Sequence, residues 1–264
     1  MTEDPAILLT TTDGIATLRI NRPARRNAID DATRALMIEA LEQAAADSAI
    51  RALIVTGTGS AFCAGGDVAG MQQRLAAPQE EIAFNGWRRQ ARTHRAVALL
   101  HNFPKPTIAA VNGAAAGLGC DVALCCDFVV AAESAHFTMS FVTRGLIPDG
   151  GGMYFLPRRV GLARAKELVF SGRRVGAAEA LAMHLIERVE PDATLLPACQ
   201  AWARELSAGS PVALSLAKSV MDRSLEMSFE DVLAEGSKAQ AICYTTGEHR
   251  ASVAAFLGKA KTKE

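Results

Sequence analysis

The sequence has no excess of charge of either sign. Its 28 lysines and arginines balance 28 aspartates and glutamates, so the formal net charge at neutral pH is zero. Proteins that bind nucleic acids or anionic membranes carry a basic surface, because their partners are polyanions. The charge balance therefore argues against nucleic acid and membrane as partners, and any anionic ligand must be held by local groups.

Long apolar runs and targeting signals are also absent. No uninterrupted apolar stretch approaches the ~18 residues that a membrane span needs, and the opening residues, MTEDPAILLTTTDG, lack the basic-then-apolar order of a secretory signal. These absences predict a cytoplasmic protein. The chain has no internal repeat, low-complexity tract or polar linker, so its 264 residues predict one large α/β domain or a core domain with a smaller helical appendage.

The cysteines form no C-x-x-C pair. They are Cys63, Cys120, Cys125, Cys126, Cys199 and Cys243. All are scattered through apolar segments, which is typical of reduced cysteines in a hydrophobic core. The alternative is a metal site built on Cys120, Cys125 and His136, but that spacing matches no common zinc module. We therefore expect no bound metal.

Strand-like and helix-like segments alternate over the first part of the chain. AILLTTT and IATLRI predict a β-hairpin that turns at Asp13-Gly14, and the amphipathic segment opened by Asp30 or Asp31 predicts a helix. Further strands are predicted at RALIVTG, KPTIAAVNG, FVVAA and AHFTMS, with a helix from about Glu80 to His101 and an interior helix at AAAGLGCDVALCCD. This order favours a largely parallel sheet covered by helices.

Beyond Gly161 the periodicity is almost wholly helical, with one short strand candidate at IERVE. A helical C-terminal part therefore follows an α/β core. We expect the core domain to comprise residues 1–200, including the first of these helices, and the C-terminal helical region to comprise residues 201–264. Helices at a chain end cover a partner subunit or close their own core, and the sequence leaves both alternatives open.

Three glycine-containing stretches could carry chemistry, and the first is GTGSAFCAGGDVAGM at residues 57–71. Phe62 stands where a dinucleotide-binding G-x-G-x-x-G motif needs its third glycine, so that function is disfavoured. What remains is a turn of small residues at 63–68, where unpaired backbone N–H groups could point at a negatively charged oxygen. The alternative is an ordinary helix start with Asp67 in its first turn.

The other two stretches each contain one aspartate. In AAVNGAAAGLGCDVAL, residues 109–124, Asp121 lies among apolar residues, where a carboxylate is costly unless it is paired or placed at a cavity. In GLIPDGGGMYF, Asp149 lies between a proline and three glycines. Glycines let a ligand approach the backbone closely, so Asp149 either faces a substrate or caps a helix that starts at Gly150.

With these stretches in this order, the sequence resembles the crotonase, or enoyl-CoA hydratase/isomerase, superfamily. The resemblance runs through NRPARRNAID, GSAFCAGGDVAGM, KPTIAAVNGAAAGLGCDVALCCDFVVAAESAHF, GLIPDGGGMYFLPRRVG and AAFLGKAK. It implies an α/β fold with a ββα-spiral core and a helical C-terminal region, assembled as a homotrimer or a dimer of trimers. It also implies an acyl-CoA thioester substrate, with coenzyme A as part of the substrate and no separate cofactor.

The resemblance assigns roles to matched positions. The amides of Gly66 and Leu118 match the family's oxyanion hole, in which two donors stabilise negative charge on a thioester oxygen. The positions that match coenzyme A-binding or substrate-binding residues are Arg25, Arg26, Ala28, Ala64, Gly65, Asp67, Val68, Gly117, Phe141, Pro148 and Lys259. The arginines suit phosphate because the guanidinium offers a planar fork of donors. Lys259 lies in a looser match, HRASVAAFLGKAKTKE.

The carboxylates decide which reaction the resemblance implies. Hydratases of this family use two glutamates; the first matches Asp121 and the second matches Phe141, which cannot transfer protons. In the family's double-bond isomerases, an acidic residue at the position of Asp149 acts as the base. We therefore expect an enoyl-CoA isomerase with Asp149 as acid/base. The alternatives are a 2-enoyl-CoA hydratase in which Asp121 directs water, and a non-catalytic or RNA-binding homologue.

Overall fold

The computed structural model of the protein describes residues 4–261, without the side chains of residues 71, 73–75 and 259–261. Its strands are β1 (Ile7–Thr12), β2 (Ile15–Ile20), β3 (Ala52–Gly57), β4 (Ala61–Cys63), β5 (Thr107–Val111), β6 (Ala114–Ala116), β7 (Phe128–Ala132), β8 (His136–Thr138), β9 (Arg174–Gly176) and β10 (Arg188–Glu190). Its α-helices are α1 (Asp31–Ala46), α2 (Val68–Leu75), α3 (Gln79–His101), α4 (Leu118–Leu124), α5 (Gly152–Val160), α6 (Leu162–Ser171), α7 (Ala177–Ala182), α8 (Leu195–Leu206), α9 (Pro211–Met221), α10 (Phe229–Tyr244) and α11 (Gly247–Lys261).

The chain opens with the predicted hairpin. Strands β1 and β2 pair antiparallel, and the two turn residues, Asp13 and Gly14, have φ angles of 51° and 75°. Two left-handed residues match the twist of the flanking strands, which is why Asp-Gly is a favoured hairpin turn. Helix α1 begins where expected, because the side chain of Asp30 accepts a hydrogen bond from the amide of Thr33 as its N-cap.

Two sheets share the core of the fold. The larger has the order β1-β2-β3-β5-β7-β10 and is parallel from β2 onward; the smaller has the order β4-β6-β8-β9 and is parallel except for β9. A short connection leads from β3 to β4, from β5 to β6 and from β7 to β8, so each turn of the chain adds one strand to each sheet. This arrangement is the predicted ββα spiral.

Of the four strands in the smaller sheet, only β8 was predicted. The residues of β6 fall in a segment predicted to be helical, and β9 lies where only helices were predicted. Strands of three residues are too short to show alternating polarity, and they exist because neighbouring strands supply hydrogen bonds. The other predicted strands and the long helix α3 are confirmed.

The core is most complete around α4, whose residues are all buried, and around the fully buried strands β3 and β5. Helix α8 packs on these strands and runs through the domain boundary that we predicted at residue 200. Helices α9 and α10 bury none of their residues. Large apolar side chains remain exposed in this region, including Leu225, between the two helices, at 76% and Phe229, the first residue of α10, at 72%.

The structure also bears on the expectations about membrane spans, cysteines and metal ligands. No helix within residues 4–261 combines the length and hydrophobicity of a membrane span. All six cysteines are free thiols, and five of them are buried. Among the described residues, no three histidine, cysteine or acidic side chains lie close enough together to hold a metal ion.

Asn27 fixes the loop between β2 and α1. It is fully buried in a left-handed conformation, with φ of 58°. Its Nδ2 donates to the carbonyls of Thr58 and Ala61, at 2.9 and 2.7 Å, and its Oδ1 accepts from the amide of Arg22 at 2.9 Å. One side chain therefore ties this loop to the connection between β3 and β4.

We expect Asn27→Ala to lower the midpoint of thermal unfolding strongly. The change removes three hydrogen bonds at ~1 kcal/mol each and leaves backbone groups unpaired, so the predicted loss is about 2–4 kcal/mol. Asn85→Ala is the matched control, because Asn85 is exposed and makes a single 3.4 Å contact with Glu81. Equal unfolding midpoints for the two variants would contradict the role given to Asn27.

Candidate active site

A cavity of about 110 Å³ lies between the loop after β4, the start of α4, helix α3 and the turn before α5. Its lining residues are Ala64, Gly65, Gly66, Val68, Arg89, Gln90, Thr93, Gly117, Leu118, Ser140, Phe141, Arg144, Leu146 and Asp149. Residues from all three stretches singled out in the sequence, which are far apart along the chain, therefore meet at one place.

The first loop leaves the amide of Gly66 without a partner. On either side of it, the amides of Ala64 and Asp67 donate to the carbonyls of Arg26 and Ile29, at 2.9 and 3.1 Å. The loop is thus held on both sides by the segment before α1. Within the described residues the N–H of Gly66 has no acceptor, and Gly66 lines the cavity. This N–H is available to a ligand.

The second free amide belongs to Leu118, the first residue of α4. The preceding residue, Gly117, has φ of 52° and donates its own N–H to the carbonyl of Thr138 at 2.9 Å. A helix leaves its first N–H groups unpaired and carries partial positive charge at that end. No acceptor in the described part of the chain takes the N–H of Leu118, which also lines the cavity.

Close packing brings these two amides together. Gly119 lies so near the carbonyl of Cys63 that a Cβ at this position would overlap it. A Cβ on Gly65, where φ is 96°, would lie 2.7 Å from the carbonyl oxygen of Ala116 and 3.4 Å from the nitrogen of Leu118. The end of β4 can therefore approach the start of α4 only because glycines are present. Two N–H donors at one cavity can stabilise an oxyanion.

Asp149 brings the carboxylate to this cavity. It is half-buried, and its carbonyl accepts a hydrogen bond of 3.0 Å from Nε2 of His94, which ties the turn to α3. The alternative that Asp149 caps a helix starting at Gly150 is wrong. Helix α5 begins at Gly152, its N-cap is Gly151, and no side chain makes a capping hydrogen bond there.

Asp121 lies behind the cavity and does not line it. Its side chain is fully buried, and Oδ2 accepts the N–H of Gly150 at 3.0 Å. In the described structure, Oδ1 has no hydrogen-bond partner. Burial raises the pKa of Asp121 to about 8. The hydrogen bond from Gly150 opposes this shift, and the nearby charge of Asp149 adds to it. Asp121 thus supports the turn that carries Asp149.

A second cleft, of about 670 Å³, adjoins the cavity and shares Arg89 with it. Two of the predicted binding residues, Arg25 and Asp67, line this cleft. Arg22 stands beside them, paired with Asp67 at 3.0 Å and with Asp30 at 2.8 Å. The exposed guanidinium of Arg25 can therefore reach an anionic ligand in the cleft.

Not all predicted residues lie at these two sites. Ala28 and Pro148 are buried, and Arg26 is exposed, but none of the three lines the cavity or the adjoining cleft. The side chain of Lys259 lies outside the described residues. These positions keep their predicted roles only through the family resemblance.

Helix α3 contributes residues to the cavity that were not predicted. Gln90 and Thr93 line the cavity, whereas the conspicuous aromatic residues of this helix, Phe84 and Trp87, are 59% and 69% exposed and stack on each other with ring centroids 6.0 Å apart. The only indication in the sequence was that Gln90 and Thr93, both polar, lie three positions apart, because residues at that spacing share one face of a helix.

Comparisons with known proteins identify the family of the chain. Residues 10–263 match the profile of the family described as Enoyl-CoA hydratase/isomerase. The chain is 37% identical over 246 residues to 1,2-epoxyphenylacetyl-CoA isomerase of Escherichia coli K12, covering 93% of each protein. It is 35% identical over 243 residues to 2,3-dehydroadipyl-CoA hydratase of the same organism, covering 92% of this chain and 91% of the hydratase.

Solved structures give the same result. The crystal structure of an enoyl-CoA hydratase from Polaromonas sp. JS666 superposes with a TM-score of 0.88 at 35% identity, covering 96% of this chain and 97% of that one. The similar proteins are named as isomerases and as hydratases, so the comparisons identify the family and do not distinguish the two reactions.

The raised pKa of Asp121 predicts how stability depends on pH. Its pKa rises from an ordinary 3.8 to about 8, so the folded protein keeps a proton that the unfolded chain releases, and stability falls as pH rises through this window. Asp121→Asn removes the titration. We expect its unfolding midpoint to change less than that of the wild type between about pH 5 and about pH 8.

Asp13→Asn is the control for this measurement. Asp13 lies in the exposed hairpin turn, where asparagine followed by glycine is equally favourable. The control should follow the wild-type pH profile. A profile for Asp121→Asn that parallels the wild type across the window would show that Asp121 is ionised in the folded protein.

Proposed function

The chain belongs to the enoyl-CoA hydratase/isomerase family of acyl-CoA-processing enzymes, and we propose that it shifts a double bond within an enoyl-CoA thioester. Asp149 is the acid/base, and the amides of Gly66 and Leu118 form the oxyanion hole. The observation that carries this proposal is that two unpartnered amides and one accessible carboxylate line the same cavity.

The proposed reaction begins with a 3-enoyl thioester whose carbonyl oxygen accepts hydrogen bonds from both amides. The carboxylate of Asp149 removes a proton from C2, and the electron pair of that C–H bond forms a dienolate with its charge on the thioester oxygen. The two N–H groups stabilise this charge more strongly than they bind the neutral carbonyl, which lowers the barrier. The protonated Asp149 then returns the proton at C4, leaving the double bond between C2 and C3.

Two further features support isomerisation. Phe141 lines the cavity where the second glutamate of a hydratase is expected, so the cavity has an apolar wall in place of a second proton-transfer group. Asp121, at the position of the first glutamate, bonds to Gly150 behind the cavity. A single carboxylate is sufficient to move a proton between C2 and C4, whereas water addition calls for a second group.

Coenzyme A is proposed to occupy the adjoining cleft. Arg25 lines this cleft and offers guanidinium donors to a phosphate group. Arg26 and Lys259 would add positive charge, and the backbone around Ala64 and Val68 would contact the ligand where the cleft meets the cavity. The thioester end then enters the cavity toward Gly66.

A 2-enoyl-CoA hydratase remains the second candidate. It is favoured by the 35% identity to 2,3-dehydroadipyl-CoA hydratase. It is also favoured by the raised pKa of Asp121, because a carboxyl group that is protonated near neutral pH can act as a proton donor. For this reaction Asp121 would have to reach the cavity, and water would add across C2 and C3.

The two candidates predict opposite orders for the aspartate variants. With 3-enoyl-CoA as substrate, we expect Asp149→Asn to lower kcat by ~10²–10⁴, because the general base is lost, with little change in thioester affinity. Asp121→Asn should lower kcat less. Formation of the conjugated 2-enoyl thioester is followed by absorbance, and 2-enoyl-CoA and 1,2-epoxyphenylacetyl-CoA are assayed in parallel.

The isomerase proposal fails if the wild type turns over only 2-enoyl-CoA, or if Asp121→Asn is the more damaging change. Retained affinity for acyl-CoA, measured by calorimetry, separates a lost catalytic group from a misfolded protein. That control is needed because Asp149 lies in a turn that is bonded to α3.

The C-terminal helices are proposed to assemble the chain as a homotrimer or a dimer of trimers. Helices α9 to α11 and their connections expose large apolar side chains, among them Leu225 at 76% and Phe256 at 75%. Apolar surface of this extent is typical of a contact between subunits. It also favours the interpretation that these helices cover a partner.

Sedimentation velocity should therefore give a mass three or six times the 27.9 kDa of the chain. The double variant Leu225→Asp/Phe256→Asp should shift the mass toward the monomer, because burying two carboxylates in an interface is unfavourable. Phe170→Asp is the matched control, since Phe170 on α6 is 73% exposed but lies outside the C-terminal helices. A monomeric wild type would refute the assembly.

A further inference from the structure

The peptide group between Asp149 and Gly150 is bonded by a side chain at each end. Its carbonyl oxygen accepts a hydrogen bond of 3.0 Å from Nε2 of His94, and its N–H donates to Oδ2 of Asp121, also at 3.0 Å. His94 belongs to α3 and Asp121 belongs to α4. Two helices that are distant along the chain therefore hold one peptide group between them.

The turn that contains this peptide group has little restraint of its own. Three glycines follow Asp149, and the second of them, Gly151, has φ of 99°. Helix α5 starts directly afterwards without a side-chain cap. Glycine gives the backbone access to many conformations, so the local sequence alone does not hold the turn in one of them.

Holding both ends of a peptide group restricts the direction of the side chain beside it. A peptide group is planar, and its plane includes the Cα atom of the residue that supplies the carbonyl. If the oxygen and the N–H are both bonded, the plane cannot rotate freely, and the Cα of Asp149 is fixed with it. The two hydrogen bonds therefore restrict where the carboxylate of Asp149 can point.

His94 has access to the turn but not to the cavity. Because its partner is a carbonyl oxygen, the imidazole must donate, which places a proton on Nε2. The side chain is exposed, and His94 does not line the cavity, although its neighbour Thr93 does. Any effect of His94 on a ligand in the cavity must therefore act through the turn.

We propose that His94 is a positioning residue for Asp149 and that it acts jointly with Asp121 through the peptide group that they share. The inference rests on the proposed function, because it requires Asp149 to be the acid/base. Proton transfer to carbon depends steeply on the placement of the base, whereas affinity for the rest of an acyl-CoA does not. Loss of the His94 bond therefore lowers kcat and leaves binding unchanged.

Variants of His94 test the hydrogen bond itself. His94→Leu removes the donor, and we expect kcat with 3-enoyl-CoA to fall about tenfold, the equivalent of one net hydrogen bond. The Kd for acyl-CoA, measured by calorimetry, should stay within about twofold of the wild type, because the binding groups are untouched. His94→Gln should restore most of kcat, since the glutamine amide places an N–H donor at a similar distance from the backbone.

Arg92→Leu is the matched control for these variants. Arg92 is also exposed on α3, and it lines neither the cavity nor the adjoining cleft. The control adds the same leucine to the same helix, so it should keep the kcat of the wild type. Unfolding midpoints of all variants show whether each one is folded.

A double-mutant cycle tests the joint action of the two side chains. Asp121→Ala removes the acceptor of the Gly150 N–H, and it is combined with His94→Leu. Once one bond is lost the peptide group is already released, so the second change should cost less than it does alone. The loss of kcat in the double variant should therefore be smaller than the product of the two single losses. If Asp121→Ala does not fold, the His94 series decides the inference.

The outcomes separate this inference from the proposed function. If Asp149→Asn abolishes turnover but His94→Leu keeps the kcat of the wild type, the inference is overturned and the proposed function stands. A His94→Gln variant as slow as His94→Leu, or single losses that multiply in the double variant, also overturns it. If the wild type does not turn over 3-enoyl-CoA, the proposed function fails and this inference fails with it.

Discussion

The site depends on the contact of Gly119 with the carbonyl of Cys63. This contact fastens the end of β4 to the start of α4, two elements on successive turns of the spiral. Each turn contributes one amide that the fold leaves unpaired, one from a loop and one from a helix start. Because the protein interior is close-packed and resists rearrangement, the two amides keep their places at the cavity without a ligand. Such preorganisation suits the oxyanion hole that we propose.

The acid is positioned by a second set of contacts around the turn before α5. Asp121 accepts the N–H of Gly150 from beneath, and His94 donates to the carbonyl of Asp149 from α3. A Cβ on Gly150 would lie 2.6 Å from Oδ2 of Asp121, so the buried aspartate requires glycine above it. The sequence GLIPDGGGMYF is thus explained by packing against a buried carboxyl as much as by access to a ligand.

Much of this arrangement could be predicted from local sequence. The Asp13-Gly14 turn, the Asp30 cap and the apolar strands have signals within a few residues, and the glycine-containing motifs carried the family resemblance. What could not be predicted depends on tertiary contacts. The three-residue strands β4, β6 and β9 exist through pairing with distant strands, and the cavity face of α3 is selected by where the spiral places that helix. The apolar neighbours of Asp121 indicated that it is buried, but its hydrogen bond to Gly150, 29 positions away, leaves no trace in the local sequence, so pairing and a cavity position could not be told apart.

The two proposed oxyanion donors are main-chain groups, which affects how the site can change during evolution. Only a change to proline removes a backbone N–H, whereas any substitution can remove a side chain, so these donors tolerate most mutations that would alter their surroundings. Acidic side chains, in contrast, can be gained or lost by single codon changes at several places around the same pair of amides. A lineage built on this spiral can therefore exchange one thioester chemistry for another by relocating an acid, without passing through an ancestor that lacks the means to hold an enolate.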